Sequence, residues 1–183
     1  NPLGATQNSV ALLLRDLDLE GDDQTLLEIV FRETERISDI VVTFLDFARP
    51  QRTEFWEADL DGLLTDVVTL AKQDERAAAL ELLLHVDPEL PQVTFDPAQI
   101  KQVVWNLLVN ALDAAKSSVA VRARASAAGG IDVRVADDGP GMDEETLRKA
   151  TEPFHTTKAQ GTGLGLAISK RIVEAHGGTL RLQ

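Results

Sequence analysis

The sequence predicts an α+β protein: a helical hairpin followed by a two-layer α/β sandwich. Three observations carry this. Gln24–Arg49 contains no Gly or Pro, and Leu27, Val30, Thr34, Ile37, Val41, Phe44 and Ala48 alternate at spacings of three and four, a heptad seam. Arg49-Pro50 then breaks the helix, because proline restricts the residue before it and offers no N–H. Beyond it, strand-like and helix-like patterns alternate, and Ala127-Ala128-Gly129-Gly130 separates two strand-like runs as a hairpin turn would.

Taken in order, Val10, Leu13, Leu14 and Leu17 form a short apolar stripe, and Glu20-Gly21-Asp22-Asp23 reads as the turn into the long helix. Two such helices bury little surface alone, so the seam is expected to meet a second copy in a four-helix bundle. The competing arrangement is a hairpin packed on its own globular domain. The boundary is placed at Pro50, giving domains 1–50 and 51–183. Thr53–Glu57 reads as a strand, and Asp59 as the cap of a helix to about Ala79. Glu81–Val86 reads as a strand, with Pro88 and Pro91 marking a loop. Asp96 caps an apolar helix from Pro97 to about Lys116, proline suiting its first turn. Val119–Ala125 and Ile131–Ala136 are the hairpin strands. A short helix near Glu144–Ala150, a last helix from Gly165 to Ala175 and a final strand Thr179–Leu182 complete the pattern. Hairpin neighbours within such an alternation argue for a mixed sheet with helices on one face.

Composition narrows the function. The 183 residues include 30 acidic and 18 basic side chains, a net charge of −12, which repels phosphate backbones and anionic lipid. Nucleic-acid binding and membrane-surface contact are therefore not expected. With no cysteine, disulfides, thiolate metal sites and cysteine nucleophiles are excluded, which fits a reducing compartment without requiring one. No apolar run is long enough to cross a bilayer, and no signal peptide is visible.

Three segments carry chemistry. Asn106, Asn110 and Asp113 fall within roughly 60° of one another on an otherwise apolar helix containing Val103, Val104, Leu107, Leu108 and Leu112. Carboxamide oxygens there suit Mg2+ that keeps waters and shares phosphate ligands, or they cap neighbouring backbone. Val135-Ala136-Asp137-Asp138-Gly139-Pro140-Gly141-Met142 runs from a strand into a two-glycine turn. It is either a plain turn or a place where a ligand approaches the backbone, with an Asp able to accept from an exocyclic amine. Gly161-Thr162-Gly163-Leu164-Gly165-Leu166 leads directly into a helix, where bare backbone N–H groups favour an anion. Lys158, just before it, is a solvated loop lysine or a cation for a polyphosphate.

Together these segments resemble a known family. Asn106-x-x-x-Asn110, Asp137-x-Gly139-x-Gly141, Phe154 with Thr156-Thr157-Lys158, and Gly161-x-Gly163-x-Gly165 resemble the N box, first glycine box, F box and second glycine box of sensor histidine kinases. The resemblance covers nearly the whole chain and is closest to the nitrogen-regulation-like subgroup. It implies the Bergerat (GHKL) ATP-binding fold for 51–183, and a dimerisation and phosphoacceptor hairpin for 1–50. By it, Asn110 coordinates Mg2+ on ATP, and Asn106 reaches the nucleotide or the water shell of the metal. Asp137 takes the adenine amine. Gly139 and Gly141 shape the adenine pocket. Gly161, Gly163, Leu164 and Gly165 approach the phosphates, with Thr157 and Lys158 beside them. Residues from about Asp143 to Gln160 form a lid anchored by Phe154.

Several positions qualify this picture. ATP-hydrolysing relatives place a glutamate where Asn106 stands, and an amide is no base near neutral pH, so transfer is favoured over hydrolysis. Many kinases carry Lys or Arg where Asp113 stands, so the compensating cation is expected from Lys158 or Lys116. Asn1-Pro2-Leu3 resembles the end of an H box, His-Glu-x-x-Asn-Pro-Leu, which puts the phosphoacceptor histidine four residues before Asn1 and outside this chain. Both ends then look trimmed, and the chain alone is not expected to autophosphorylate. The same resemblance gives Asn1 a part in positioning water for dephosphorylation, and Pro2 a kink in the helix. The expected partners are a second copy and a response-regulator receiver domain. The alternatives are an ATPase or chaperone of the same superfamily, and a non-catalytic nucleotide-binding dimerisation module.

Overall fold

The computed structural model describes residues 2–16, 21–48, 52–127, 129–158 and 161–183. They form two units: residues 1–51 with 156–162, and residues 52–155 with 163–183. Asn1, Leu17, Glu20, Arg49, Pro50, Ala128 and Gln160, each part of a reading above, lie outside the described residues.

In the first unit, α1 (Pro2–Asp16) and α2 (Asp22–Ala48) make the hairpin. Gly21 adopts a left-handed φ of 66° immediately before α2, and its carbonyl accepts from Thr25 N–H and Oγ1. Val10 and Thr34 are buried, Thr34 donating its hydroxyl to the Val30 carbonyl one turn back. Four other seam residues stay open: Val30, Ile37, Val41 and Phe44 are 39–49% exposed.

The second unit is a sandwich of helices on a mixed sheet. Strands β2 (Glu81–Val86), β4 (Ser118–Ala125) and β5 (Ile131–Asp137) lie in the order β2-β4-β5, parallel then antiparallel. Leu82, Val119, Val121 and Ala123 point to one face, where α3 (Leu60–Ala71) and α4 (Pro97–Ala114) cover them. Leu64, Val67, Leu108 and Val119 are fully buried at the centre of this layer. The other face shows Leu83, Arg122 and Arg134 to solvent, the alternation of a half-buried sheet. Helices α5 (Glu144–Lys149) and α6 (Gly165–Ala175) follow, α6 packing on α4.

Three boundaries differ from expectation. Only Trp56–Glu57 (β1) of the first predicted strand pairs, with Thr94–Phe95 (β3). Upstream, side chains replace the ladder: Glu54 N–H donates to Asp96 Oδ2 at 3.1 Å, and Thr53 Oγ1 to Gln99 Oε1 at 3.2 Å. Helix α3 stops at Ala71, not near Ala79, because Asp74 takes Arg76 N–H and guanidinium and folds Glu75–Ala77 into a 3₁₀ turn. Residues 179–182 form no strand. They follow a helix end in which Gly177 at φ 74° lets its own N–H reach Glu174 O while Gly178 N–H reaches Val173 O. In addition, Asp59 occupies the N-cap of α3 without making a side-chain cap bond.

Asp96 ties several of these pieces. Its Oδ1 accepts from Ala98 and Gln99 N–H, capping α4, and its own N–H donates to His176 Nε2 at 3.0 Å. His176 Nδ1 donates to Ile172 O, which assigns the neutral tautomer, and its ring meets Phe55 edge-on. Burial alone would raise the Asp96 pKa, but the backbone N–H groups of Glu54, Gln99 and Ala98 outweigh it and hold the carboxyl below its ordinary value. Asp96→Ala is expected to lower unfolding free energy by about 1–2 kcal/mol in urea titration, the size of a lost cap and its orphaned donors. A variant as stable as the parent would show that the cap contributes nothing.

Candidate functional site: the C-terminal half of α4

Helix α4 puts its apolar residues to work on one side and its amides on another. Val103, Val104, Leu108, Ala111 and Leu112 are buried. Asn106 and Asn110 are half-buried, and Asp113 follows one turn on. Asn106 Nδ2 donates to Gly165 O at 3.2 Å and to Ser169 Oγ at 3.4 Å. Ser169 is fully buried and donates to the same Gly165 carbonyl at 2.8 Å. Asn106 thus fastens the first turn of α6 to α4, and its Oδ1 takes no donor among the described residues. A Cβ on Gly165 would come within 3.7 Å of the Asn106 carboxamide.

The β5–α5 connection closes on the end of α4. A Cβ on Gly139 would stand 2.5 Å from the Ala114 carbonyl oxygen and 2.6 Å from Asp137 Oδ1, so no side chain fits there. Gly139 N–H donates to Asp137 Oδ1 at 2.9 Å. Asp137 is exposed, with its second oxygen taking no donor among the described residues. Asp138 anchors the turn. Its carboxylate accepts from Ser117 Oγ and from the N–H groups of Lys116, Ser117 and Ser118. The Ser117 hydroxyl first, then these backbone donors, hold its pKa well below the usual carboxylate range. Sequence reading passed over Asp138. The signal was available, since an Asp after a strand end is a common backbone acceptor.

The second glycine segment turns back on Phe154. Phe154 adopts φ 66°, a left-handed conformation rare for an aromatic residue, and its N–H donates to Gly163 O at 2.9 Å. A Cβ on Gly163 would fall 2.5 Å from the Phe154 carbonyl carbon. Leu164 is fully buried just before α6, and Gly141 sits open at φ 71°. Thr157, Lys158 and Gly161 belong to the unit that contains the hairpin. There Thr156 Oγ1 accepts from Lys158 N–H at 3.1 Å and approaches the site of a Gly161 Cβ at 2.5 Å. Asp143 caps α5 through Thr146 N–H.

The site as built offers a carboxamide face, a carboxylate on a glycine turn and a glycine-led helix N-terminus on one scaffold. Residues 95–183 match the family model described as histidine kinase-, DNA gyrase B- and HSP90-like ATPase. The catalytic domain of histidine kinase ThkA is 35% identical, with TM-score 0.60, over 67% of this chain and 81% of that one. This chain belongs to the sensor histidine kinase family. It is also 34% identical to the sensor histidine kinase ZraS of Klebsiella oxytoca over 98% of its own length and 39% of that protein, so it spans well under half of that curated relative. Full-length ShkA, crystallised with AMPPNP, aligns over the whole chain and 41% of its own at TM-score 0.78 and 25% identity. A further ThkA structure, in complex with the response regulator TrrA, aligns over 97% of this chain and 52% of that one at TM-score 0.72 and 27% identity. The fold is thus the GHKL ATPase type preceded by a helical hairpin, and membership of this kinase and ATPase family implies nucleotide binding. No helix among the described residues is long and apolar enough to cross a membrane.

An acid-sensitive contribution to stability is expected from Asp138. A depressed folded pKa gives stability that is fully present above the unfolded value of about 3.9 and lost as pH falls through the folded value. Asp138→Asn is expected to lower the urea midpoint at pH 7, with the difference shrinking below about pH 4 and vanishing only as pH falls through the depressed folded value. A midpoint difference independent of pH would show that the carboxylate charge is not what holds the turn.

Proposed function

We propose that this chain binds Mg-ATP and serves as the catalytic core of a two-component sensor, moving the γ-phosphoryl group to a histidine and then to an aspartate of a response regulator. The observation that carries the reading is the contact of Gly139 with the Ala114 carbonyl, which sets Asp137 against the end of the helix bearing Asn106 and Asn110. The bound analogue in ShkA and the regulator complex of ThkA support carrying nucleotide and regulator over to this chain.

Asp137 accepts the adenine amine through the oxygen that Gly139 does not occupy, and Gly139 and Gly141 leave the backbone open to the ring. Asn110 holds Mg2+ through its carboxamide oxygen, and Asn106 offers its Oδ1 to the nucleotide or to metal-bound water. Two carboxamide oxygens are a sparse, hard donor set, which suits a cation that keeps several waters and shares phosphate oxygens. When bound, Mg2+ neutralises charge that develops on the phosphates. Backbone N–H groups from Gly163 to Gly165, with Leu164 buried behind them, face the phosphate end of α6. Thr157, Lys158 and Gly161 are assigned to the phosphates, and Phe154 to the anchoring of the lid, by the family resemblance alone. Since Asn106 is an amide bound to Gly165 and Ser169, it activates no water, and ATP is kept for transfer.

Domain 1–50 is the dimerisation hairpin and 51–183 the ATP-binding domain in this reading. The exposed stripe of Val30, Ile37, Val41 and Phe44 is covered by a second copy in a four-helix bundle. Asn1 positions water when the regulator is dephosphorylated. The acceptor is none of the histidines present. His85 lies on the open sheet face beside Asp87, His155 follows the Phe154 turn, and His176 is held by Asp96 and Ile172.

Asp137→Ala is expected to weaken Mg-ATP binding at least about tenfold in calorimetric titration while leaving the urea midpoint unchanged, as loss of a buried ligand hydrogen bond would. Unaltered binding would refute the adenine role. With γ-labelled ATP, the chain is expected to hold no acid-labile phosphate, and a chain extended upstream to a histidine is expected to hold it there. Label on His85, His155 or His176, or steady ATP hydrolysis lost in Asn106→Ala, would count against transfer to an upstream histidine.

A further inference from the structure

Asp113 is an awkward residue in a polyphosphate site. It stands one turn beyond Asn110 on the same face of α4, and next to Ala114, whose carbonyl meets Gly139 beside Asp137. A carboxylate between the metal side and the base side of a bound nucleotide would repel its phosphates. A cation that meets it is Arg76, whose Nη1 donates to Asp113 Oδ1 at 3.1 Å.

The guanidinium is held from behind. Asp74 takes Nε at 2.8 Å and Nη2 at 2.6 Å, a bidentate fork, and accepts Arg76 N–H at 3.0 Å as well. That backbone bond forms the 3₁₀ turn ending α3, so the turn and the fork together aim the arginine at α4. Hydrogen bonds from the Arg76 side chain and backbone lower the Asp74 pKa to about 2, so both partners of the fork are charged at neutral pH. Three of the five guanidinium N–H groups are used by the two carboxylates. The triad carries one net negative charge, and without Arg76 it would carry two.

We propose that Arg76 is a positioning residue for nucleotide binding, acting through Asp113: it neutralises the one carboxylate on the amide face of α4, and so lets the site accept a polyphosphate. The inference rests on the reading of α4 as the Mg-ATP site. It explains why sequence reasoning, which looked for the cation near Asp113 in sequence or in the glycine loop, did not find it. Arg76 lies 37 residues upstream, and only the 3₁₀ turn brings it there.

The test compares Mg-ATP and adenosine in calorimetric titrations of the 183-residue chain. Arg76→Ala is expected to weaken Mg-ATP about tenfold, the size of an uncompensated charge acting across a partly screened surface, and to leave adenosine unchanged. Adding Asp113→Asn to Arg76→Ala is expected to recover most of the lost ATP affinity, and Arg76→Lys to retain most of it. A merely structural role would weaken both ligands alike and would not be rescued by Asp113→Asn. The proposal is overturned if Arg76→Ala binds ATP like the parent, if ATP and adenosine fall together, or if Asp113→Asn fails to rescue. A parent chain that binds neither ligand would instead overturn the nucleotide reading, and this inference with it.

Discussion

The architecture of the second unit depends on one constraint: α4 must bury its apolar residues against the sheet and still leave an amide-bearing side available. Val104, Leu108, Ala111 and Leu112 supply the burial, each 4% exposed or less. Their spacing fixes the rotation of the helix, since any turn about its axis would exchange Leu108 for polar Asn106 or Asn110 in a layer that is otherwise hydrocarbon. Once that rotation is set, the directions of Asn106, Asn110 and Asp113 are set too. Asp96 fixes the start of the helix through its cap, and the Ala114–Gly139 contact fixes its end against β5. The site therefore inherits its precision from core packing and not from its own loops.

The acidity of the chain has a structural side. Asp74, Asp96, Asp138 and Asp143 each accept backbone N–H groups at places where a helix begins or a strand ends. Each carboxylate satisfies donors that would otherwise be orphaned, and each has its pKa lowered, Asp74 first by the Arg76 guanidinium, Asp138 first by the Ser117 hydroxyl, and Asp96 and Asp143 by backbone N–H groups. A net charge of −12 is thus partly the sum of turn and cap chemistry, not a uniform field over the molecule.

What was legible in the sequence divides along this line. Periodicity located α4, α6 and the β4–β5 hairpin almost to the residue, because these segments pack on the core and their patterns are dictated by it. The end of α3 and the short β1 were misjudged, because side-chain to backbone bonds from Asp74, and from Asp96 and Gln99 to residues 53 and 54, override local pattern there. The missing strand at 179–182 has the same cause in another form. A strand is a partnership, and no property of Thr-Leu-Arg-Leu alone supplies a neighbour. The site motifs were read from their order and spacing, whereas Asp138 and Arg76 were not, since each acts on groups about 20 or 37 residues away in the chain.

Distance in sequence also clarifies how an acidic chain is suited to an anion. The local sign of charge matters more than the total. Along α4 the two asparagines contribute dipoles without charge, Asp113 is met by a guanidinium, and Asp138 spends its lone pairs on three backbone N–H groups and a hydroxyl. Among the described residues the second oxygen of Asp137 takes no donor, and in the proposed reading that oxygen accepts a base amine. In the proposed reading the two ends of a nucleotide would be separated by the chemistry of their acceptors: a carboxylate oxygen for the amine, and amides beside an ion-paired carboxylate for the phosphates. Replacing Asp113 by an uncharged residue would leave Arg76 paired with Asp74 alone, a neutral fork, so Asp113 is better understood as one member of a charge triad built on Arg76 than as an isolated acid tolerated within the site.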